Sequence, residues 1–503
     1  MLPRLEAGVA GLRPDSLTGA AIVAAFAAAA LLAGYVIASG RPIPIALVLG
    51  AIVGIALLNA LTLVIWIVLV GTLLVSGPVI MFVPGLEKAA WLFSVLGFLL
   101  AGAAVLHPVV GRSRLPGSAP SFIVVALALV VLSLLSLVYT GGSFSEGVRA
   151  LKRYYQYFGL AFALAVVPFT PATVRRWWVF VVSLAFLQIP FAIYQRIILV
   201  PMREGMPNVD AIDIVVGTME GSLQGGGSSS VMALLVVFAI ACLLAAYREG
   251  ALRGAGLALA IVALAIPLVV GEVTLIVILL PIALGAVFQD LVRVSPLRAL
   301  GALAAAASVA VAGWWVYLML NVEPGRTIAD SFNAVVAYNF GTTGYYGGGS
   351  LNRTSVYTHW FQHHGLDDPI ALVFGHGLGS SFGGLYEPDP GHMDLRYSGL
   401  YIGLTAASSL LWDLGLFGLS LYVLLHLAAV RLALVLVRSA HPGFDRTFCR
   451  ALFAMSLMLF VMLFYSNGPI SVPSQQVLTA LTLGLIAWRQ RVGRRTGQEI
   501  SEF

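Results

Sequence analysis

Residues 43–76 read IPIALVLGAIVGIALLNALTLVIWIVLVGTLLVS, an apolar run longer than any single membrane crossing needs. A helix rising 1.5 Å per residue covers a hydrocarbon core of about 30 Å with about 20 residues. Asn59, near the middle of the run, would be costly if it faced lipid, so the run reads as two short helices meeting there. That division fixes the parity of the whole chain, and with it the side on which each loop falls.

Working outward, further apolar runs lie near 17–39, 89–106, 121–139, 151–168, 177–200, 229–247, 254–270, 273–289, 299–319, 400–430, 451–465 and 472–488. With the divided run they make about fourteen spans. Composition agrees: hydrophobic residues are 60% and charged residues 10% of the chain, where a soluble domain carries about a quarter charged. The class is an all-α polytopic membrane protein, with spans and short loops over 1–320, one large loop over 321–399, C-terminal spans over 400–489 and a tail over 490–503. The first run follows Arg4 and Arg13 and lacks a cleavage site, so it is expected to be retained. Cys242 and Cys449 form no spaced motif, and neither a disulfide nor structural zinc is expected.

An even number of spans places both termini on one side. If that side is cytoplasmic, the inner loops collect Arg4/Arg13, Arg112/Arg114, Arg175/Arg176, Arg248/Arg253, Arg293/Arg298, the group 431–450 and the group 489–495. This is the arrangement the positive-inside rule predicts. The loops 200–228 and 321–399 then fall outside. Arg149, Lys152, Arg153, Arg196, Arg203, Arg326, Arg353 and Arg396 are the exceptions, on the outer side or at its membrane edge. One reading pairs them with acids such as Glu146, Glu204 and Glu323. The other makes them a site for an anionic ligand at the outer surface, a lipid diphosphate above all, which guanidinium forks bind in bidentate fashion.

The loop 321–399 holds five of the eight histidines and the glycine run Gly347–Gly349. Within it, residues 350–365 (SLNRTSVYTHWFQHHG) have the shape of a short helix, with Ser350 or Asn352 as N-cap and Gly365 as stop. Spacings of four, three and four put Arg353, Tyr357, Trp360 and His364 on one face, suited to a phosphosugar or to lying in the membrane interface. Downstream, Gly375-His376-Gly377-Leu378-Gly379 is a glycine-rich turn that lets backbone approach a ligand, with His376 at its apex as the candidate acid–base or orienting group. Asp367/Asp368, Asp389 and Asp394 lack the tight spacing of a divalent-metal site. Residues 221–230 and 341–349 read as flexible linkers, and Trp177/Trp178 and Trp314/Trp315 as interface anchors. Glu272, between two apolar runs, belongs at a water boundary, beside an outer arginine, or in the role of a base. Asp413, inside a span, reads as a structural partner of His426 or an arginine.

Arg353, Trp360, Pro369, the Gly375–Gly379 run, and a later span carrying Leu411-Trp412-Asp413-Leu414-Gly415-Leu416-Phe417-Gly418 form a pattern. It resembles the O-antigen ligase and polymerase superfamily, marked by an Arg…Trp…Pro…Gly-x-Gly-x-Gly run in a large outer loop and a helix with a late Gly-x-x-Gly. The resemblance covers about 350–420 and, loosely, the layout of the whole chain. It implies an inverting, metal- and cofactor-independent glycosyltransferase of the bacterial cytoplasmic membrane. Its donor and acceptor would be glycans on undecaprenyl diphosphate, and a chain-length regulator protein is a further implied partner. No nucleic-acid partner is expected. In that reading Arg353 and Arg326 bear on catalysis with His376, and Arg149, Arg196, Arg203, Tyr357, Trp360, Gly375, Gly377 and Gly379 hold substrate. Ligases of the superfamily carry a histidine and a following Asn, Ser or Gln where this chain has Leu404 and Thr405. The Ser-Arg pair expected at the outer start of a middle helix is replaced by 270–274 (VGEVT), so Arg196 or Arg203 would have to substitute. Both departures favour a polymerase over a ligase. From another class, a lipid-linked oligosaccharide flippase would place its charges near mid-membrane, often in an internal repeat, and none is evident.

Overall fold

The computed structural model describes residues 60–83, 91–110, 120–139, 144–206, 210–223, 226–271, 273–290, 327–341, 351–366, 368–383 and 390–496, with scattered positions between 53 and 59 and between 297 and 319. The chain divides into two compact units, Met1–Leu63 and Val64–Phe503. A turn at Asn59 interrupts the long apolar run, and a helix begins again at Leu61. In chain order the helices are α1 (Leu61–Phe82), α2 (Trp91–Val110), α3 (Ser121–Tyr139), α4 (Phe144–Tyr155), α5 (Phe158–Val166), α6 (Pro171–Arg203), α7 (Ser229–Arg248), α8 (Gly254–Val270) and α9 (Ile276–Val287). There follow α10 (Ile328–Phe340), α11 (Ser355–His363), α12 (Pro369–Phe374), α13 (His392–Arg396), α14 (Ala406–Ser439), α15 (Phe444–Tyr465), α16 (Gly468–Ser471) and α17 (Pro473–Thr496). Among the described residues the fold is all-helical, with one isolated bridge between Gly221 and Gly227.

Six of these helices, α1, α3, α6, α7, α14 and α15, are long and apolar enough to cross a membrane, while α8, α9 and the stretch Trp91–His107 of α2 are apolar but shorter. The protein is therefore a membrane protein by the length and composition of its helices. The run near 151–168 is not one span: it starts inside the amphipathic α4, breaks at Gln156–Tyr157 and resumes as the nine-residue α5. The break is held by polar contacts, with Ser94 donating to Gln156 Oε1 at 2.6 Å and Gln156 Nε2 donating to Gln476 Oε1 at 2.7 Å. α5 packs between α2 and α17. Gly97 and Gly159 let α2 and the 156–159 backbone approach so closely that a Cβ on either would sit about 2 Å from a carbonyl oxygen.

α7 and α15 lie at the centre, and α15 packs against α7, α9 and α14. One end of this bundle is tied by ion pairs: Arg450 bridges Glu249 and Asp290, Arg248 meets Asp290 at 2.6 Å, and Arg489 meets Asp445 at 2.6 Å. Several arginines of the basic clusters are thus interlocked with carboxylates. Trp177 and Trp178, read from sequence as interface anchors, are buried against Phe169 and against Phe238 and Phe448 respectively. They are core residues, because their helix packs against α7. Trp314 lies outside the described residues, and Trp315 is exposed.

The connection from α6 to α7 is the largest departure from the sequence reading. Ile214, Val215, Val216, Thr218 and Met219 are fully buried, so this stretch inserts between helices instead of looping freely. Two glutamine side chains take the place of a partner strand. Gln195 Oε1 accepts from the amides of Val216 (3.0 Å) and Gly217 (2.7 Å) while its Nε2 donates to Gly217 O; Gln188 Oε1 accepts from Thr218 N at 2.8 Å. Both flanking helices carry a π-helical turn here, Gly71–Val75 in α1 and Gln195–Leu199 in α6, and Thr218 Oγ1 donates to Leu73 O in the first of them. Non-helical backbone inside a membrane protein is admissible when protein groups satisfy it in this way.

Candidate functional site

The glycine run docks on a break in α14. Gly415 has φ 66° inside that helix, so the carbonyls of Trp412 and Asp413 lose their helical donors and accept instead from His376 N (2.8 Å) and Gly377 N (2.9 Å). Gly375, Gly377 and Gly379 all have positive φ. A Cβ on Gly375 would stand 2.5 Å from the Asp413 backbone, and one on Gly415 would stand 2.4 Å from Val373. Only glycine fits either side of this crossing.

Asp413 completes the joint. Its Oδ1 accepts from Ser381 N (2.8 Å) and Ser380 Oγ (3.0 Å), its Oδ2 from Gly379 N (2.8 Å) and Tyr154 OH (2.8 Å). Its partners are therefore the loop and Tyr154, with neither His426 nor an arginine among its hydrogen bonds. Every amide from Gly375 to Phe382 is engaged: beyond those already named, Gly375 donates to Ala371 O, Leu378 to Ser136 Oγ, Ser380 to Gly377 O and Phe382 to Gly379 O. The glycines expected to offer amides to a ligand support the site by shape instead.

The predicted face of α11 is real, and it points into the protein. Trp360 is fully buried with Trp412, Ile402 and Met393, and Tyr357 OH shares a hydrogen bond with Thr405 Oγ1 at 2.9 Å. Trp360 therefore offers no open stacking surface, which corrects its expected role. Asn352 does cap the helix, accepting from Thr354 N and Ser355 N. At the far end, His364 stacks on Trp360 with centroids 4.5 Å apart, and its Nδ1 faces Trp360 O at 2.9 Å while its Nε2 faces His376 Nε2 at 2.8 Å. A carbonyl can only accept, so His364 Nδ1 carries the proton, His364 Nε2 accepts, and His376 Nε2–H donates to it. That leaves His376 Nδ1 as the basic nitrogen. Burial, and then the neighbouring His364, hold His376 down at about 4; burial likewise lowers His364. Both rings are neutral at pH 7.

Arg353 sits at the other end of α11. Its Nε donates to Tyr465 O at 2.9 Å, its Nη1 donates to Asn339 Oδ1 at 2.9 Å, and its guanidinium lies 4.2 Å over the Tyr465 ring. Tyr465 OH in turn meets Thr274 Oγ1 at 3.4 Å, which brings in the turn where the Ser-Arg pair was sought. Arg203, buried at the end of α6, and Arg353 act together on one group, Asp213 of the inserted segment. Burial pushes the Asp213 carboxyl up to about 6, Asp210 adds to this, and Arg203 and Arg353 pull against it. Asp213 was not singled out in sequence.

Arg353 and Arg203 both act on Asp213, whereas Arg353 and His376 lie at opposite ends of α11. The nine residues of α11 rise about 13 Å between the two ends. Arg196 is exposed on the π-helical turn of α6. Arg149 lies beside Glu146, which meets His392 at 3.1 Å, and Arg153 covers the Phe382 ring. Lys152, over the Trp91 ring, is lowered to about 8 by burial and by Arg153. Glu146 and Arg153 thus brace the glycine loop from α4, and Lys152 faces α2. Arg326, Gly347–Gly349 and Glu272 lie outside the described residues. Chemically, the Arg203–Arg353–Asp213 group combines two cations for an anion with a carboxylate able to take a proton near neutral pH.

No protein-family model matches the chain, and no curated protein is similar to it.

Proposed function

We propose that the chain is a membrane-embedded glycosyltransferase that polymerises oligosaccharide units carried on a lipid diphosphate, as the resemblance to the O-antigen ligase and polymerase superfamily implies. The observation that carries the reading is that Arg203 and Arg353, from distant parts of the sequence, both lower the carboxyl pKa of one residue, Asp213, next to the buried run Ile214–Met219. Two guanidiniums are a suitable clamp for a diphosphate and for the charge that grows on it as it leaves. Donors already in place before reaction cost no reorganisation when that charge appears. The docking of the glycine run on Gly415 gives a physical reason for the motif, since the loop that carries Arg353 is fixed through it. In this reading the membrane is the bacterial cytoplasmic membrane, about fourteen helices span it, both termini are cytoplasmic and the 321–399 loop is outside.

The test is purified protein incubated with a synthetic undecaprenyl-diphosphate oligosaccharide and the products resolved by size. A ladder of repeat units is expected, and it should persist in EDTA because arginines neutralise the leaving group. Transfer only to a lipid-core acceptor would make the protein a ligase. No transfer to any acceptor would overturn the reading.

A further inference from the structure

We propose that the groove between α9 and α15 holds the hydrocarbon tail of a lipid diphosphate whose headgroup is bound at Arg353. The proposal rests on the glycosyl-transfer reading for its choice of ligand and adds where the lipid part of that ligand lies.

The groove has a volume of about 420 Å³. Phe453, Leu457 and Val461 of α15 form one wall, and Ile282, Gly285 and Gln289 of α9 contribute to the other. Gln289 is the one polar side chain among its described lining residues. A cleft for water or sugar needs donors and acceptors along its length, so this lining suits hydrocarbon. Gly285 makes the room: it is exposed, and a Cβ built on it would meet no atom within 4 Å.

The register of α15 connects the groove to the arginine. Phe453, Leu457 and Val461 recur every four residues, and the next member of that stripe is Tyr465. Tyr465 is the residue that holds Arg353, through its carbonyl at 2.9 Å and its ring at 4.2 Å. Across the groove, Thr274 Oγ1 at the start of α9 meets Tyr465 OH at 3.4 Å, so the two walls come together beneath Arg353. At the other end Asp290 follows Gln289 and is gripped by Arg248 and Arg450, which closes the groove with an ion-pair floor. Along the helix Val461 lies about 6 Å and Phe453 about 18 Å from Tyr465. A cation at the head of an apolar groove of that depth matches an amphiphile with an anionic head and a hydrocarbon tail. A diphosphate offers the guanidinium more charge than the single phosphodiester of a bulk phospholipid, which selects the lipid diphosphate. Lipid is already as apolar as the groove, so occupancy gains packing and a fixed path for the tail, with little hydrophobic gain.

The experiment uses full-length protein in nanodiscs of phosphatidylethanolamine and phosphatidylglycerol, irradiated with undecaprenyl diphosphate that carries a diazirine in its tail. Label is expected on the peptides 282–289 and 453–461, displaced by unlabelled undecaprenyl diphosphate. Gly285→Leu, which fills the groove, should remove most of that label. With the undecaprenyl-diphosphate oligosaccharide it should raise KM by about three- to tenfold at nearly unchanged kcat. Gly102→Leu, at an equally open position on α2, should match wild type in both measurements. Label missing from these two peptides would mean that something else fills the groove, the chain's own apolar run 299–319 above all, and would overturn the proposal. Label that unlabelled undecaprenyl diphosphate does not displace would mark a bulk-lipid contact and overturn it equally, as would Gly285→Leu with wild-type labelling and KM. Labelling needs no transfer: displaceable groove label without any transfer product would uphold the lipid site and sink the glycosyl-transfer reading, and transfer without groove label would do the reverse.

Discussion

Arg353 has its side chain fixed before any ligand arrives, by a carbonyl, an amide oxygen and an aromatic face. Arg353→Lys keeps the charge and loses the fork, whereas Arg353→Ala loses both. The expected order of turnover is wild type, then Lys, then Ala, with Ala down by roughly a hundredfold to a thousandfold. Equal rates for wild type and Ala would make Arg353 structural. Asp413 separates support from chemistry. Asp413→Asn turns an NH₂ toward donors that need an acceptor, at roughly 1–3 kcal/mol for each one stranded. A lower thermal midpoint in detergent should therefore accompany any loss of activity. The Glu146–His392 pair makes a smaller, pH-dependent contribution. Its hydrogen bond to His392 lowers Glu146, and Glu146 raises His392. The glutamate term is present above its ordinary 4.5 and lost in more acid solution; the histidine term is present below its ordinary 6.5 and lost as pH rises through the raised value. His392→Ala should therefore cost most between those values, up to about 1 kcal/mol, with the cost fading above neutrality in thermal melts.

At the scale of elements, the contact between the glycine run and the broken α14 is the part most exposed to substitution. Gly375→Ala and Gly415→Ala each force a Cβ into backbone at an unfavourable φ, a cost of roughly 1–2 kcal/mol from conformation alone. Limited proteolysis should cut the 375–383 segment faster in both, while Gly250→Ala, with positive φ but open space around it, should leave that segment protected. The face of α11 was legible because spacings of three and four residues define it. Whether that face meets solvent or core is not encoded in periodicity, and Trp360 proved to be core. The inserted run Ile214–Met219 was read only as part of the polar outer loop 200–228. The signal that could have found it was Gln188 and Gln195, two amides on one face of an apolar helix, each needing a partner. Asp413 was recognised as structural, but its partners are the amides of Gly379 and Ser381 and the hydroxyls of Ser380 and Tyr154, which its place in a span does not single out.

For the whole molecule, sidedness is the open measurement. Ser381, an obvious position for a labelling cysteine in the large loop, is fully buried and unsuitable. Leu366 is 87% exposed in the same loop, and Ser439 is exposed at the far end of α14. Leu366→Cys should react with a membrane-impermeant thiol reagent in intact spheroplasts and Ser439→Cys should not. Native Cys242 and Cys449 are buried and should stay silent. The reverse pattern would invert the topology and remove the site from the outer face.

The two π-helical turns have a bearing on how this protein can vary. Each holds one residue more than an α-helical path requires, and a helix turns through about 100° per residue. Five residues of a π-helical turn cover about the rotation of four α-helical ones, so deleting one residue from Gln195–Leu199 would leave Arg203 on nearly the same side of α6, whereas a deletion in an α-helical part would swing it about a quarter-turn. The length of α6 is therefore free to change by one residue at that turn, and elsewhere changes only in compensated steps.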